Sequence, residues 1–134
     1  MIALDTNVLV RYLARDDEAQ FKISAALIEN CTSDEPAHVC REVMIELVWV
    51  LERSYKYSRE EIGEVLLSLV TASQLSVESA QDIASVVNLY RKEGFDFADL
   101  MIRQAANRSG AAVLKTFDLK LAKLAGVELI GAKH

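Results

Sequence analysis

Two short apolar segments run straight into acidic residues. Ile2-Ala3-Leu4 leads into Asp5, and Ala112-Val113-Leu114 leads through Lys115-Thr116-Phe117 into Asp118. Each pattern predicts a buried parallel strand that ends in a polar turn. Between them the apolar spacing is helical. Glu18 to Asn30 carries Phe21, Ala25 and Ile28 on one face, and Arg41 to Ser54 carries Val43, Leu47, Val50 and Leu51. Ser58 opens the next helix as an N-cap, with Glu61 at the capping-box position ahead of Ile62, Val65, Leu66 and Leu69. Ser79 to Arg91 predicts a helix closed by Gly94, and Phe97 to Ser109 another that stops at Gly110. Pro36 to Val39, Leu75 to Val77 and Val127 to Ile130 are the remaining strand candidates. Strands separated by helices imply right-handed crossovers and a parallel sheet covered on both faces, hence the α/β class.

Composition narrows the chemistry. The 134 residues are 51% hydrophobic and 26% charged, with one proline and five glycines, which predicts one domain over residues 1–134 without linker or repeat. A chain of this length buries roughly two-thirds of its unfolded surface, so a metal would serve function rather than hold the fold together. No apolar stretch approaches the ~20 residues of a membrane-spanning helix, and no basic segment precedes the apolar start of a secretory signal. Cys31 and Cys40 are therefore expected to be reduced thiols, and the protein to be cytoplasmic with no membrane partner. Fifteen Lys and Arg against twenty Asp and Glu give a net charge of −5, so nucleic acid would have to be attracted by local features. With two histidines, His38 and His134, there is no HExxH zinc motif and little material for a Ser-His-Asp triad. No phosphate-binding GxxxxGK[ST] loop or GxGxxG turn is present. Carboxylates remain as the candidate chemistry.

In open α/β sheets ligands bind beyond the carboxyl ends of the strands, where Asp5 and Asp118 are predicted to fall. Glu46 lies among Val43, Met44, Ile45, Leu47, Val48, Trp49 and Val50, which predicts a buried acid in need of a partner; Arg41, Arg53 and Lys56 are the structural candidates for that partner. Glu42, one turn earlier, is more peripheral. Asp96 and Asp99 open a helix in GFDFADLMIRQAA; Asp96 fits an N-cap, and Asp99 is placed to pair with Arg103 at i+4. If Asp5, Glu46, Asp99 and Asp118 converge, each pair of ionised carboxylates ~5 Å apart repels by about 3 kcal/mol at an effective dielectric of ~20. Such a cluster takes up protons or a cation, and oxygen-only ligands select Mg²⁺ or Mn²⁺, ions suited to phosphoryl chemistry.

The segments DTNVLVRYL at 5 to 13, EVMIELVWVLER at 42 to 53, DFADLMIRQAA at 96 to 106 and LKTFD at 114 to 118 together resemble PIN domains, in particular the VapC toxins of bacterial and archaeal toxin-antitoxin systems. They span nearly the whole chain in the family's order. The resemblance implies a PIN-like three-layer α/β/α sandwich with a central, mainly parallel sheet, and a metal-dependent endoribonuclease in which Asp5, Glu46, Asp99 and Asp118 hold Mg²⁺, with Mn²⁺ able to replace it. It implies that Thr116 lies at the pocket edge, that Asn7 orders the Asp5 turn and that Asp96 is an outer acid. It further implies an RNA substrate, a homodimer and neutralisation by a small VapB-type antitoxin. Arg11, Arg41, Arg103, Lys115, Lys120 and Lys123 would supply a local basic border around the acidic pocket.

Three rival classes fit less well. A phosphorelay receiver domain needs a central phosphoacceptor aspartate on a mid-chain loop, where this chain predicts a helix carrying Glu46. A haloacid-dehalogenase-like phosphatase needs a second aspartate at position 7, which is Asn7. A non-catalytic PIN-like module that only binds RNA or protein would not need the four acids. Among active PIN nucleases, an RNA-processing enzyme without an antitoxin stays open.

Overall fold

The computed structural model describes residues 1–131; the end of the predicted domain, with His134, lies outside the described residues. Six α-helices surround two pairs of short strands: α1 (Thr6–Ala14), α2 (Glu18–Glu29), β1 (Ala37–Val39), α3 (Arg41–Arg53), α4 (Arg59–Thr71), β2 (Leu75–Val77), α5 (Ala80–Glu93), α6 (Phe97–Arg108), β3 (Leu114–Thr116) and β4 (Val127–Leu129), with a 3₁₀ turn at Leu121–Lys123. The alternation of helix and parallel strand predicted from the sequence is present.

Local chemistry explains most element boundaries. Asp5 caps α1 by accepting the Thr6 backbone N–H at 2.8 Å, and Asp17 caps α2 through Gln20 at 3.0 Å. Ser58 and Glu61 form the predicted reciprocal capping box of α4, a device of about 1 kcal/mol. Gly94 ends α5 with φ +73°, a left-handed conformation that an L side chain adopts only under strain. The N-terminus of α3 is capped from outside its own segment, by Glu78 Oε1 accepting the Arg41 backbone N–H at 2.8 Å.

The sheet is more fragmented than the apolar segments suggest. Strands β1 and β2 pair in parallel, Ala37 opposite Leu75 and Val39 opposite Val77, and β3 and β4 pair in parallel, Leu114 opposite Val127 and Thr116 opposite Leu129. Ile2–Leu4 was expected to form a full strand. It makes only a bridge, Ala3 beside His38, held by Leu4 N–H to the His38 carbonyl at 2.9 Å and His38 N–H to the Ile2 carbonyl at 2.7 Å. Met1 and Ile2 are exposed, so the segment has apolar cover only at Leu4. The strand expected from Ala112 begins at Leu114, because Ala111 and Ala112 are exposed beyond the helix stop at Gly110.

One core joins these parts. Leu9 and Val10 of α1, Met44, Leu47 and Leu51 of α3, Ile62 and Leu66 of α4, Ile83, Val86 and Tyr90 of α5, and Phe97, Leu100 and Met101 of α6 pack around Ala37 and Val39 of β1. None of the described helices is long and apolar enough to cross a membrane.

Candidate active site

The α5–α6 turn and the turn after β3 meet at a cleft of ≈180 Å³ lined by Arg59, Gly94, Phe95, Asp96, Asp99, Asp118, Lys120 and Leu121. Three of the predicted acids are therefore together. Asp96 is the N-cap of α6, its Oδ2 accepting the Asp99 N–H at 3.2 Å. That cap fixes the first turn of the helix, and α6 then carries Asp99 into the cleft, half-buried. Asp118 closes the turn after β3 in a similar way, with Oδ1 accepting the Leu121 N–H at 2.9 Å. The Thr116 hydroxyl oxygen accepts the Asp118 N–H at 3.0 Å, so Thr116 orders this turn from within rather than lining the cleft.

The electrostatics of the cleft are unbalanced. Burial, then the neighbouring Asp96 and Asp118 carboxylates, raise the Asp99 carboxyl above its ordinary range. The predicted pairing of Asp99 with Arg103 does not form. Arg103 turns to donate through Nε to the Ala125 carbonyl at 2.9 Å. Two cations, Arg59 and Lys120, do line the cleft, but each is committed to backbone. Arg59 donates to the carbonyls of Tyr90 at 2.9 Å and Phe95 at 2.7 Å while its guanidinium lies over the Tyr90 ring. Lys120 donates to the Gly94 carbonyl at 3.1 Å and sits over the Phe95 ring. Both therefore brace the turn that presents Asp96 and Asp99. Among the described residues, no ion pair neutralises Asp96, Asp99 or Asp118.

Asp5 and Glu46 form a second group, joined through Thr6. The Thr6 side chain is buried, and its hydroxyl donates to Glu46 Oε1 across the α1–α3 contact. The expectation of a buried Glu46 is overturned. Val43, Met44, Leu47, Val48 and Leu51 take the inner face of α3, while Glu42, Glu46, Trp49 and Arg53 share the outer one, Trp49 being 55% exposed. Glu46 thus meets solvent and one neutral donor, and needs no basic partner. Arg41 goes instead to the Met101 carbonyl at 3.0 Å, and Arg53 lies over Trp49. Asn7 borders the groove between α1 and α2 with Val8, Arg11, Gln20, Ile23 and Ser24 and is not among the residues that line the acid cleft.

The basic border predicted from the sequence is largely engaged elsewhere. Arg11 pairs with Asp16 at 3.1 Å, Arg41 and Arg103 hold backbone carbonyls, and Lys115 pairs with Glu128. Lys120 alone of that set lines the cleft with the acids. Arg59, which sequence reasoning missed, is the other cation there; its position as the first residue of α4, directly after the Ser58 cap, carries no signal of a site. Thr6 carries no signal of its own in the sequence, because its bond to Glu46 depends on the packing of α1 against α3.

The donor set suits a hard divalent cation: it is all oxygen, and burial, then the Asp96 and Asp118 carboxylates, push Asp99 toward protonation. Among the described residues, no three acid, histidine or cysteine side chains are gathered tightly enough to hold an ion as they stand. The acids are presented as two groups on four elements.

Residues 2–127 match the sequence pattern described as the PIN domain. The chain belongs to the PIN-domain family. A curated relative, the VapC ribonuclease of Aquifex aeolicus (strain VF5), is 32% identical over 124 residues, covering 92% of this chain and 92% of that protein. No solved structure gives a significant match. In this PIN domain the acids follow one another along the chain as a capping aspartate before α1, a glutamate on α3, a pair at the start of α6 and one after β3.

Proposed function

We propose that this PIN domain is a VapC-type toxin, an endoribonuclease whose phosphodiester cleavage depends on Mg²⁺ or Mn²⁺. The observation that carries the reading is the half-buried Asp99, flanked by Asp96 and Asp118, with no cation bonded to any of the three carboxylates among the described residues. The 32% identity to a VapC ribonuclease over nearly the full length of both chains supports the same activity.

In this reading Asp5, Glu46, Asp99 and Asp118 hold the cation. Bound there, a divalent ion would polarise a phosphate oxygen, favour water as nucleophile and offset the charge that develops as the bond breaks. The chain's own residues do the positioning. Thr6 holds Glu46 by a hydrogen bond to one oxygen and leaves the other oxygen free. Asp96 fixes the first turn of α6, and so the direction of Asp99. Thr116 fixes the turn that carries Asp118. Arg59 and Lys120 brace the α5–α6 turn and keep positive charge beside the place where a phosphate would lie.

The partners follow the same reading: an RNA substrate, a VapB-type antitoxin encoded nearby, and a homodimer, all acting in the cytoplasm. Purified protein is expected to cut single-stranded or looped RNA with Mg²⁺ or Mn²⁺ and to stop in EDTA. Full activity in EDTA would overturn the metal dependence. Mapping the RNA cut on induced expression, wild type against Asp5→Asn, tests the toxin reading itself, and a short upstream frame encoding a DNA-binding antitoxin separates it from a PIN-type RNA-processing nuclease.

A further inference from the structure

The turn after β3 carries an unexplained apolar tip. Phe117 stands between Thr116 and Asp118 and is 76% exposed; Leu119 follows at 62%, and Ile130, beside them through its N–H bond to the Thr116 carbonyl at 2.8 Å, is partly exposed. Single exposed hydrophobics need no explanation, but these three are neighbours at one end of the β3–β4 pair, next to the acid that lines the cleft. The ring of Phe117 is also supported. It lies against the backbone of Gly131, where an added Cβ would come within 3.0 Å of the ring, and Gly131 itself has φ +99°. The turn beneath it is fixed by Thr116 and Asp118 on both sides. An aromatic face is thus held toward solvent, one residue from Asp118, on the same turn as the cation Lys120.

We propose that Phe117 is a base-stacking residue for the substrate, a platform on which an unpaired nucleobase rests beside the phosphodiester handled at Asp99 and Asp118. This inference rests on the ribonuclease reading above. The physical case is that every nucleobase has a π-face, so stacking on an exposed aromatic ring gives affinity without needing hydrogen-bond readout of sequence. It also discriminates in the direction that matters, because bases in a duplex are already stacked on each other and are not available to the ring. On an acidic protein of net charge −5, such a contact supplies binding that bulk electrostatics do not. Lys120, in the same turn, meets the phosphate next to the stacked base.

The test compares wild type with Phe117→Ala, Phe117→Leu and Phe117→Trp on a short unpaired RNA carrying 2-aminopurine, whose fluorescence falls on stacking. Steady-state cleavage and equilibrium binding are both read in Mn²⁺. Phe117→Ala is expected to lower kcat/KM roughly 5- to 100-fold, chiefly by raising KM, and to lose the fluorescence quench. Phe117→Leu, which keeps apolar bulk but has no ring, falls with it, while Phe117→Trp restores both readouts and carries the test if the alanine variant melts early. Unchanged KM and quench in Phe117→Ala overturn the proposal. Rescue by leucine as complete as by tryptophan also overturns it, and marks the tip as an apolar surface for a protein partner. If wild type itself cuts no RNA in Mn²⁺, it is the ribonuclease reading that fails, a result distinct from active enzyme indifferent to Phe117.

Discussion

Asp82 and Asp99 are both buried or half-buried acids near a helix start, yet their surroundings are opposite. Asp82, in the first turn of α5, is 2% exposed and fully served: Arg108 donates through Nε at 2.6 Å and pairs through Nη2 at 2.6 Å, and Gln104 adds a longer bond at 3.3 Å. The hydrogen bond from Arg108 leads the influences that hold its carboxyl below the ordinary range. Asp99, on α6, faces Asp96 and Asp118 and has its carboxyl raised, burial being the main cause. Arg108 and Gln104 are on α6 as well, so the same helix supplies donors to one acid and withholds them from the other. The difference separates an acid that ties α5 to α6 from an acid that, among the described residues, has no ion-pair partner, and a perturbed acid of the second kind in a cleft is the one proposed above to take a ligand.

The sharpest way to break this contrast is to neutralise each acid in turn. Asp99→Asn is expected to lower RNA cleavage by roughly 100-fold or more, as loss of a charge-stabilising group at a reacting centre does. Without metal its melting temperature should stay level or rise, because a like-charge contact is removed. Unfolding of this variant would make Asp99 structural and collapse the contrast.

Glu46 sharpens the comparison from the other acid group. Glu46→Gln should lower cleavage about 10- to 100-fold and weaken Mn²⁺ binding, while Glu42→Gln, on the same outer face with no partner on another element among the described residues, stays within about threefold of wild type. Cleavage assays and calorimetry on both variants decide it. The reverse ranking would move the second acid of the site one turn toward the start of α3.

Asp82→Asn is expected to keep cleavage but to lower stability by about 1–3 kcal/mol, through loss of charge-assisted hydrogen bonds in a buried site. Denaturant melts measure this directly. A smaller and subtler effect is its pH dependence. The lowered Asp82 pKa means its contribution is fully present above the ordinary carboxylate value of about 3.9 and is lost as pH falls through the folded-state value. The stability gap between wild type and Asp82→Asn should therefore close on acidification; a gap that stays constant down to about pH 2 would show that the pair acts by shape rather than charge.

Much of this was written in the chain and some of it was not. Caps are local, so Ser58 with Glu61, Gly94 and Asp96 could be read from three or four neighbouring residues and stand where expected. The acid after a strand was equally legible at Asp118, and Asp5 was legible as the acid that opens α1. The exposure of Glu46 was not, because Trp49, an apolar residue on the solvent face, made α3 look hydrophobic all round. The strand at Ile2–Leu4 was overread, since an apolar triplet at the chain start has neighbours on one side only and makes a single bridge. Asp82 gave no signal at all: in the first turn of a helix it resembles any dipole-complementing acid, and its partners, 22 and 26 residues away, are fixed by how α6 packs on α5.

The central claim is that the acids with no ion-pair partner among the described residues hold a divalent ion and that the paired acid does not. Calorimetric titration of Mn²⁺ into wild type, Asp82→Asn and Asp99→Asn tests it in one series. The account predicts that Asp82→Asn binds as wild type does, while Asp99→Asn binds at least about tenfold more weakly. Equal binding by wild type and Asp99→Asn would contradict it.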